Sequence, residues 1–110
     1  MDIQIASNFE RYLFDLYDQD DVLLGQHMSK LKEDGSLIIE SGKLKDARKV
    51  FSSSSITEQE TLLEMESVYA ETGVLIDPHT AVGTAAARTL DNAGNKPIVC
   101  LATAAPAKFG

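Results

Sequence analysis

Cysteine is nearly missing from this chain, and basic residues are few. A single cysteine, Cys100, excludes an internal disulfide and any multi-Cys zinc site. Ten Lys and Arg stand against 17 Asp and Glu, a net charge of −7. That balance argues against nucleic-acid binding, which requires clustered cations. The one basic cluster, Lys43, Lys45, Arg48 and Lys49, reads as a solvated face. No apolar run approaches the ~20 residues of a membrane span. The N-terminus lacks the basic start and apolar stretch of a signal peptide. Histidine is scarce too. His27 and His79 have no HxxxH or HxxE spacing, so no metal site is expected. Glycine-rich loops are absent. Gly83-Thr84 lies inside a helical pattern, where close packing explains it better than a phosphate cradle.

What is present is a series of helices. Ile3 and Ile5 alternate with polar neighbours, which suits a short strand over 2–5. Ser7 and Glu10 have capping-box spacing, and Phe9, Leu13, Leu16 and Tyr17 form an apolar stripe after them. A second helix is expected from Asp20 or Asp21 to Asp34, ended by Gly35. Residues 35–56 carry little pattern, with Leu37-Ile38-Ile39 a short strand or turn and Ser52–Ser55 a loop. Thr57-Glu58-Gln59-Glu60 is a second capping box. The helix behind it should bury Leu62, Met65 and Tyr69 and stop at Gly73. Asp77 as cap and Pro78 at the first helical position start a further helix to about Ala93, closed by Gly94. Pro97–Ala102 is apolar without alternation, as in a strand buried on both faces. Cys100 within it should be a buried, reduced thiol, which points to a cytoplasmic protein. A lone buried strand leaves its own backbone groups unpaired. It needs partners from outside the chain, unless 3–5, 37–39 and 74–76 complete a small sheet internally.

Candidate chemistry is sparse. His79 beside Asp77 at a helix start can orient a ligand or accept a proton, although local hydrogen bonding is the plainer reading. His27 reads as a surface residue. Thr103 follows the C-terminal end of the apolar strand, where ligands gather in open α/β sheets, or else it satisfies nearby backbone. Thr80, Thr84 and the serine run lack the glycine spacing of a nucleophile elbow. No lysine has the apolar surroundings that activate it for Schiff-base chemistry.

Three segments in order, MDIQIASNFER (1–11), TGVLIDPHTAVG (72–83) and LATAAPAKF (101–109), resemble the C-terminal part of threonine synthase. The resemblance spans Met1 to Phe109, with residues 18–56 matching only in general pattern. It implies an α/β fold of the tryptophan-synthase β type, of which residues 1–110 would be one helix-rich C-terminal unit with one or two strands of a larger sheet. It implies a lyase of threonine biosynthesis that uses pyridoxal phosphate (PLP) to convert O-phospho-L-homoserine and water to L-threonine and phosphate. The Schiff-base lysine and the loop for the cofactor phosphate would lie N-terminal to this region. The chain by itself would then be inactive, would partner the N-terminal part and could self-associate. No catalytic residue is assigned here. Thr103 matches the threonine that hydrogen-bonds the pyridine nitrogen, and Asp77, Pro78, His79 and Thr80 match a segment lining the cofactor side of the cleft. Ala105 stands where the family usually has His, and the family normally continues beyond Gly110 through a last helix. A rival reading is a freestanding acidic α/β interaction module without catalysis.

Overall fold

The computed structural model describes residues 6–90 and 96–109. The chain forms two compact units, Asp2–Ser52 and Ser53–Gly110.

In the first unit, α1 (Ser7–Leu16), α2 (Asp21–Asp34) and α3 (Ser41–Ala47) surround a small core. Leu13, Tyr17 and Leu24 are its buried members, with Phe14, Leu16, Leu23, Met28, Leu37 and Ile39 packed against them. The α1 stripe therefore does what its spacing predicts for Leu13, Leu16 and Tyr17, while Phe9 stays exposed. The expected Ser7 capping box is not formed. Ser7 is already helical, and Ala6 caps α1 without a side-chain bond. A tight turn through Asp18 and Gln19, both at positive φ (56° and 62°), leads into α2. Asp20 caps that helix by accepting from the Leu23 amide at 2.9 Å, and Gly35 closes it in the left-handed region at φ 69°. Leu37 and Ile39 face the core while Ile38 is exposed, so this segment alternates, yet it joins no strand. The seven-residue α3 was not foreseen in residues 35–56.

In the second unit, α4 (Glu58–Thr72) packs on α5 (Pro78–Thr89). The α4 capping box forms as expected. Glu60 N donates to Thr57 Oγ1, and Glu60 Oε2 accepts from Thr57 N at 2.7 Å. Gly73 ends the helix at φ 72°. The buried face is different from the expected one. Thr61 and Glu64 are buried, Met65 is half-buried, and Leu62 and Tyr69 are 61% and 57% exposed. The reason lies in the partner helix. α5 offers Ala81 and Thr80 as its buried residues and Arg88 near its end, so the α4 face that fits it is small and charged. The end expected for α5 at Ala93–Gly94 lies outside the described residues, as does the strand over 2–5; the described helix ends at Thr89.

Residues Pro97–Ala102 are not a buried strand. They pair with nothing among the described residues, and Val99 is 80% and Leu101 77% exposed. Cys100, expected to be buried, is an exposed thiol. The physical reason is backbone satisfaction: without neighbouring strands, this segment keeps its amides and carbonyls paired only by staying in water. Nor do residues 37–39 and 74–76 form an internal sheet. Among the described residues the architecture is helical, with no strand, and a 3-10 turn spans Pro106–Phe109.

Candidate functional site

The Asp77-Pro78-His79-Thr80 segment folds into one tight cluster at the start of α5. Proline suits the first helical turn because its missing N–H would have no acceptor there. Asp77 precedes it in an extended conformation, so its carboxylate turns back over the first turn. It is 1% exposed. Oδ1 accepts from the His79 amide at 3.0 Å and the Thr80 amide at 3.3 Å. The same oxygen lies 3.1 Å from His79 Nδ1. Oδ2 accepts from the Thr80 hydroxyl, itself buried. That hydroxyl, with the two backbone amides and His79 behind it, holds the Asp77 carboxyl below its ordinary range despite the opposing effect of burial. His79 and Pro78 are half-buried. Local hydrogen bonding, the plainer reading of His79, is therefore realised, and Asp77, His79 and Thr80 form one hydrogen-bonded group.

Thr103 lies apart from this cluster in the chain. It is exposed, and no hydrogen bond ties its side chain to the described residues. Ala105 is also exposed, and its carbonyl accepts from the Lys108 amide at 3.1 Å in the 3-10 turn. Among the described residues, no group of three or more His, Cys, Asp or Glu could hold a metal ion, and no helix is long and apolar enough to cross a membrane.

Two polar networks escaped sequence reasoning. In the second unit, Arg88 Nε donates to buried Glu64 at 2.9 Å, and its Nη2 reaches both Glu71 oxygens at 3.1–3.2 Å. Glu64 and Glu71, seven residues apart on α4, were the signal: they share a helix face and await a cation. In the first unit, the Tyr17 hydroxyl donates to Glu40 at 2.6 Å. The His27 ring stacks on Tyr17 at 4.7 Å, with Nε2 buried 3.8 Å from Glu40 Oε1. His27, expected at the surface, is thus a largely buried residue.

Comparison with known proteins bears on the whole chain. A family model described as threonine synthase, C-terminal, matches residues 80–110. The chain is 39% identical over 109 residues to threonine synthase of Pseudomonas aeruginosa, covering 99% of the chain and 23% of that protein. It is 35% identical over 122 residues to threonine synthase of Schizosaccharomyces pombe, covering 99% and 24%. Its fold matches the crystal structure of PLP-bound threonine synthase from Brucella melitensis with a TM-score of 0.82 and 44% identity, over 99% of this chain and 23% of that one.

Over 99% of its length the chain is similar to part of these threonine synthases, and the family model that matches its last 31 residues is their C-terminal one. The chain spans about a quarter of the length of the curated relatives it matches, 23% and 24% for the two named above. The correspondence covers both units, including residues 18–56, where the sequence pattern was weakest. It does not favour a freestanding interaction module.

Proposed function

We propose that this chain forms the C-terminal portion of a threonine synthase, a carbon–oxygen lyase that converts O-phospho-L-homoserine and water to L-threonine and phosphate. The observation that carries the reading is the match of nearly the whole chain, at a TM-score of 0.82, to a PLP-bound threonine synthase. The exposed apolar segment Pro97–Ala102 supports it, because such a segment needs strands from a larger sheet. The free thiol at Cys100 suits a reducing compartment, so the proposal places the protein in the cytoplasm.

The donor chemistry of this region fits the cofactor. PLP, when bound, supplies an electron sink for chemistry at the amino-acid carbon. Thr103 presents an uncommitted neutral hydroxyl, and a neutral donor suits an unprotonated ring nitrogen. Thr103 would hold that nitrogen, while the Asp77–Thr80 segment would line the cofactor side of the cleft and exclude water from it. The Schiff-base lysine and phosphate loop would come from the N-terminal part of the enzyme, so the chain by itself would be inactive.

The test is reconstitution. The 110-residue chain, assayed with PLP and O-phospho-L-homoserine, should release no phosphate. Addition of the N-terminal part of the enzyme, made separately, should restore release. Turnover by the chain alone would overturn the assigned division of labour. A reconstituted protein that held PLP but left O-phospho-L-homoserine intact would overturn the assigned reaction.

A further inference from the structure

His27 of α2 and Glu40, just before α3, stand one short movement away from an ion pair. The His27 side chain is 14% exposed, and its Nε2 is buried with no hydrogen-bond partner among the described residues. Glu40 Oε1 lies 3.8 Å from it. That is too long for a hydrogen bond and short enough for charges to attract. The other Glu40 oxygen accepts from the Tyr17 hydroxyl at 2.6 Å, so the carboxylate is already held in place. The centre of the His27 ring lies 4.7 Å from that of Tyr17, within the range of a cation–π attraction once the imidazole is charged.

Burial opposes a charged ring. It bears on one partner only, since the Glu40 side chain is 60% exposed and keeps its water. Glu40 also stays ionised in mild acid, because the Tyr17 hydrogen bond, above all, holds its carboxyl below the ordinary range. Two lysines could weaken the attraction. Lys43 of α3 lies 5.9 Å from the centre of the Tyr17 ring, but Asp18 engages it at 2.6 Å. Lys30 follows one turn along α2. Asp46, further along α3, is engaged by Lys49 at 2.7 Å. Among the described residues neither Lys43 nor Lys30 is ion-paired with Glu40, whereas His27 is placed to be.

We propose that His27 is a proton-operated clasp, which takes up a proton in mild acid and pairs with Glu40, tightening α2 against the start of α3 in the first unit. The charge on the ring does this, whichever nitrogen receives the proton. A charged form that the fold favours stabilises on the acid side, and its contribution is lost as pH rises. Imidazoles change charge between about pH 5 and 8. In stronger acid the clasp opens again, when Glu40 takes up a proton of its own. The clasp does not depend on the reaction that the larger enzyme carries out.

The experiment is a double-mutant cycle in the 110-residue chain, run at about pH 8 and about pH 5.5, on either side of the change in imidazole charge. Its corners are wild type, His27→Gln, Glu40→Gln and the double variant. Thermal melts are read from the amide resonances of Leu13 and Leu24, which belong to the core of the first unit. His79 and Asp77 are common to all four proteins, so their own titrations cancel. The coupling between His27 and Glu40 should be near zero at the higher pH and should reach roughly 2 °C or more at the lower one. His27→Phe is a second variant, which keeps a ring against Tyr17 but takes no proton. It replaces His27→Gln in the cycle if the glutamine variant does not fold. On its own, it should lose ground to wild type as the pH is lowered. A coupling of the same size at both values, or one that weakens toward acid, overturns the inference. So does a His27→Phe chain whose melting follows that of wild type at both values.

Discussion

Tyr17 and Glu40 lie 23 residues apart and share a 2.6 Å hydrogen bond, which ties the end of α1 to the residue that precedes α3. Burial, then the hydrogen bond and charge of Glu40, push the Tyr17 phenol up to about 12. The neutral phenol is the form the fold favours. Its contribution to stability is therefore fully present below the unfolded value of 10.0 and is lost as pH rises through about 12. The tyrosinate absorbance of wild type minus that of Tyr17→Phe should show this late titration. Glu40→Gln should bring it earlier. Tyr17→Phe should also lower the melting temperature at neutral pH by roughly 2–8 °C. A Tyr17 titration at the ordinary phenol value would show that the bond is absent in solution.

The Asp77 carboxyl predicts an acid-sensitive helix start. Its value is lowered, chiefly by the Thr80 hydroxyl, so it stabilises the fold above 3.8 and that contribution disappears as pH falls through the lower folded value. The melting-temperature difference between wild type and Asp77→Asn should be largest near neutrality and should shrink below that value. Thr80→Val should reduce the difference throughout. An unchanging gap from neutral to strongly acidic pH would contradict the assigned cause.

Arg88 joins α4 and α5 through Glu64 and Glu71. Arg88→Met strands the buried Glu64 carboxylate, which is costlier than losing the pair as a whole. Thermal melts should show a clear drop for Arg88→Met. The double variant Arg88→Met with Glu64→Leu should recover more than half of it. If the double variant fell further than the single one, the network would be adding more than it costs to bury.

The apolar segment at Val99 and Leu101 should behave as an unpaired strand. In the 110-residue chain, the amides of these residues should exchange with solvent without protection, and a hydrophobic dye should bind. If the chain is the C-terminal portion of an enzyme as proposed, the same amides should become protected once the N-terminal part is supplied. Strong protection in the chain alone would mean that it completes its own sheet.

Thr103→Val removes a hydroxyl while keeping shape. In the threonine synthase carrying this region, it should cost about 0.5–1.5 kcal/mol of hydrogen-bond energy in the resting state. Cofactor absorbance should persist, and turnover should fall by more than that resting cost implies if Thr103 holds the ring nitrogen as proposed, since such a donor would tune the electron sink the cofactor supplies. Wild-type turnover in Thr103→Val would remove the role proposed for this residue.

The boundaries of α2 and α4 and the start of α5 were legible in the sequence alone. Asp20 and Gly35, Thr57 with Glu60, Gly73, and Asp77 with Pro78 each act within one helical turn, so a short stretch of chain holds all the information needed. The helix start at Asp77 and its local hydrogen bonds to His79 and Thr80 were legible for the same reason. Faces and partners were not. Thr61 and Glu64 are buried in place of Leu62 and Tyr69 because α5 presents alanine, threonine and an arginine to α4. His27 is half-buried because Tyr17, ten residues earlier, offers a ring to pack against. The apolar Pro97–Ala102 segment reads as a buried strand, but burial depends on neighbours that residues 97–102 do not contain. Local hydrogen bonds are decided by residues three or four positions apart, whereas packing is decided by whichever surface arrives from elsewhere, and only the tertiary structure brings that surface in.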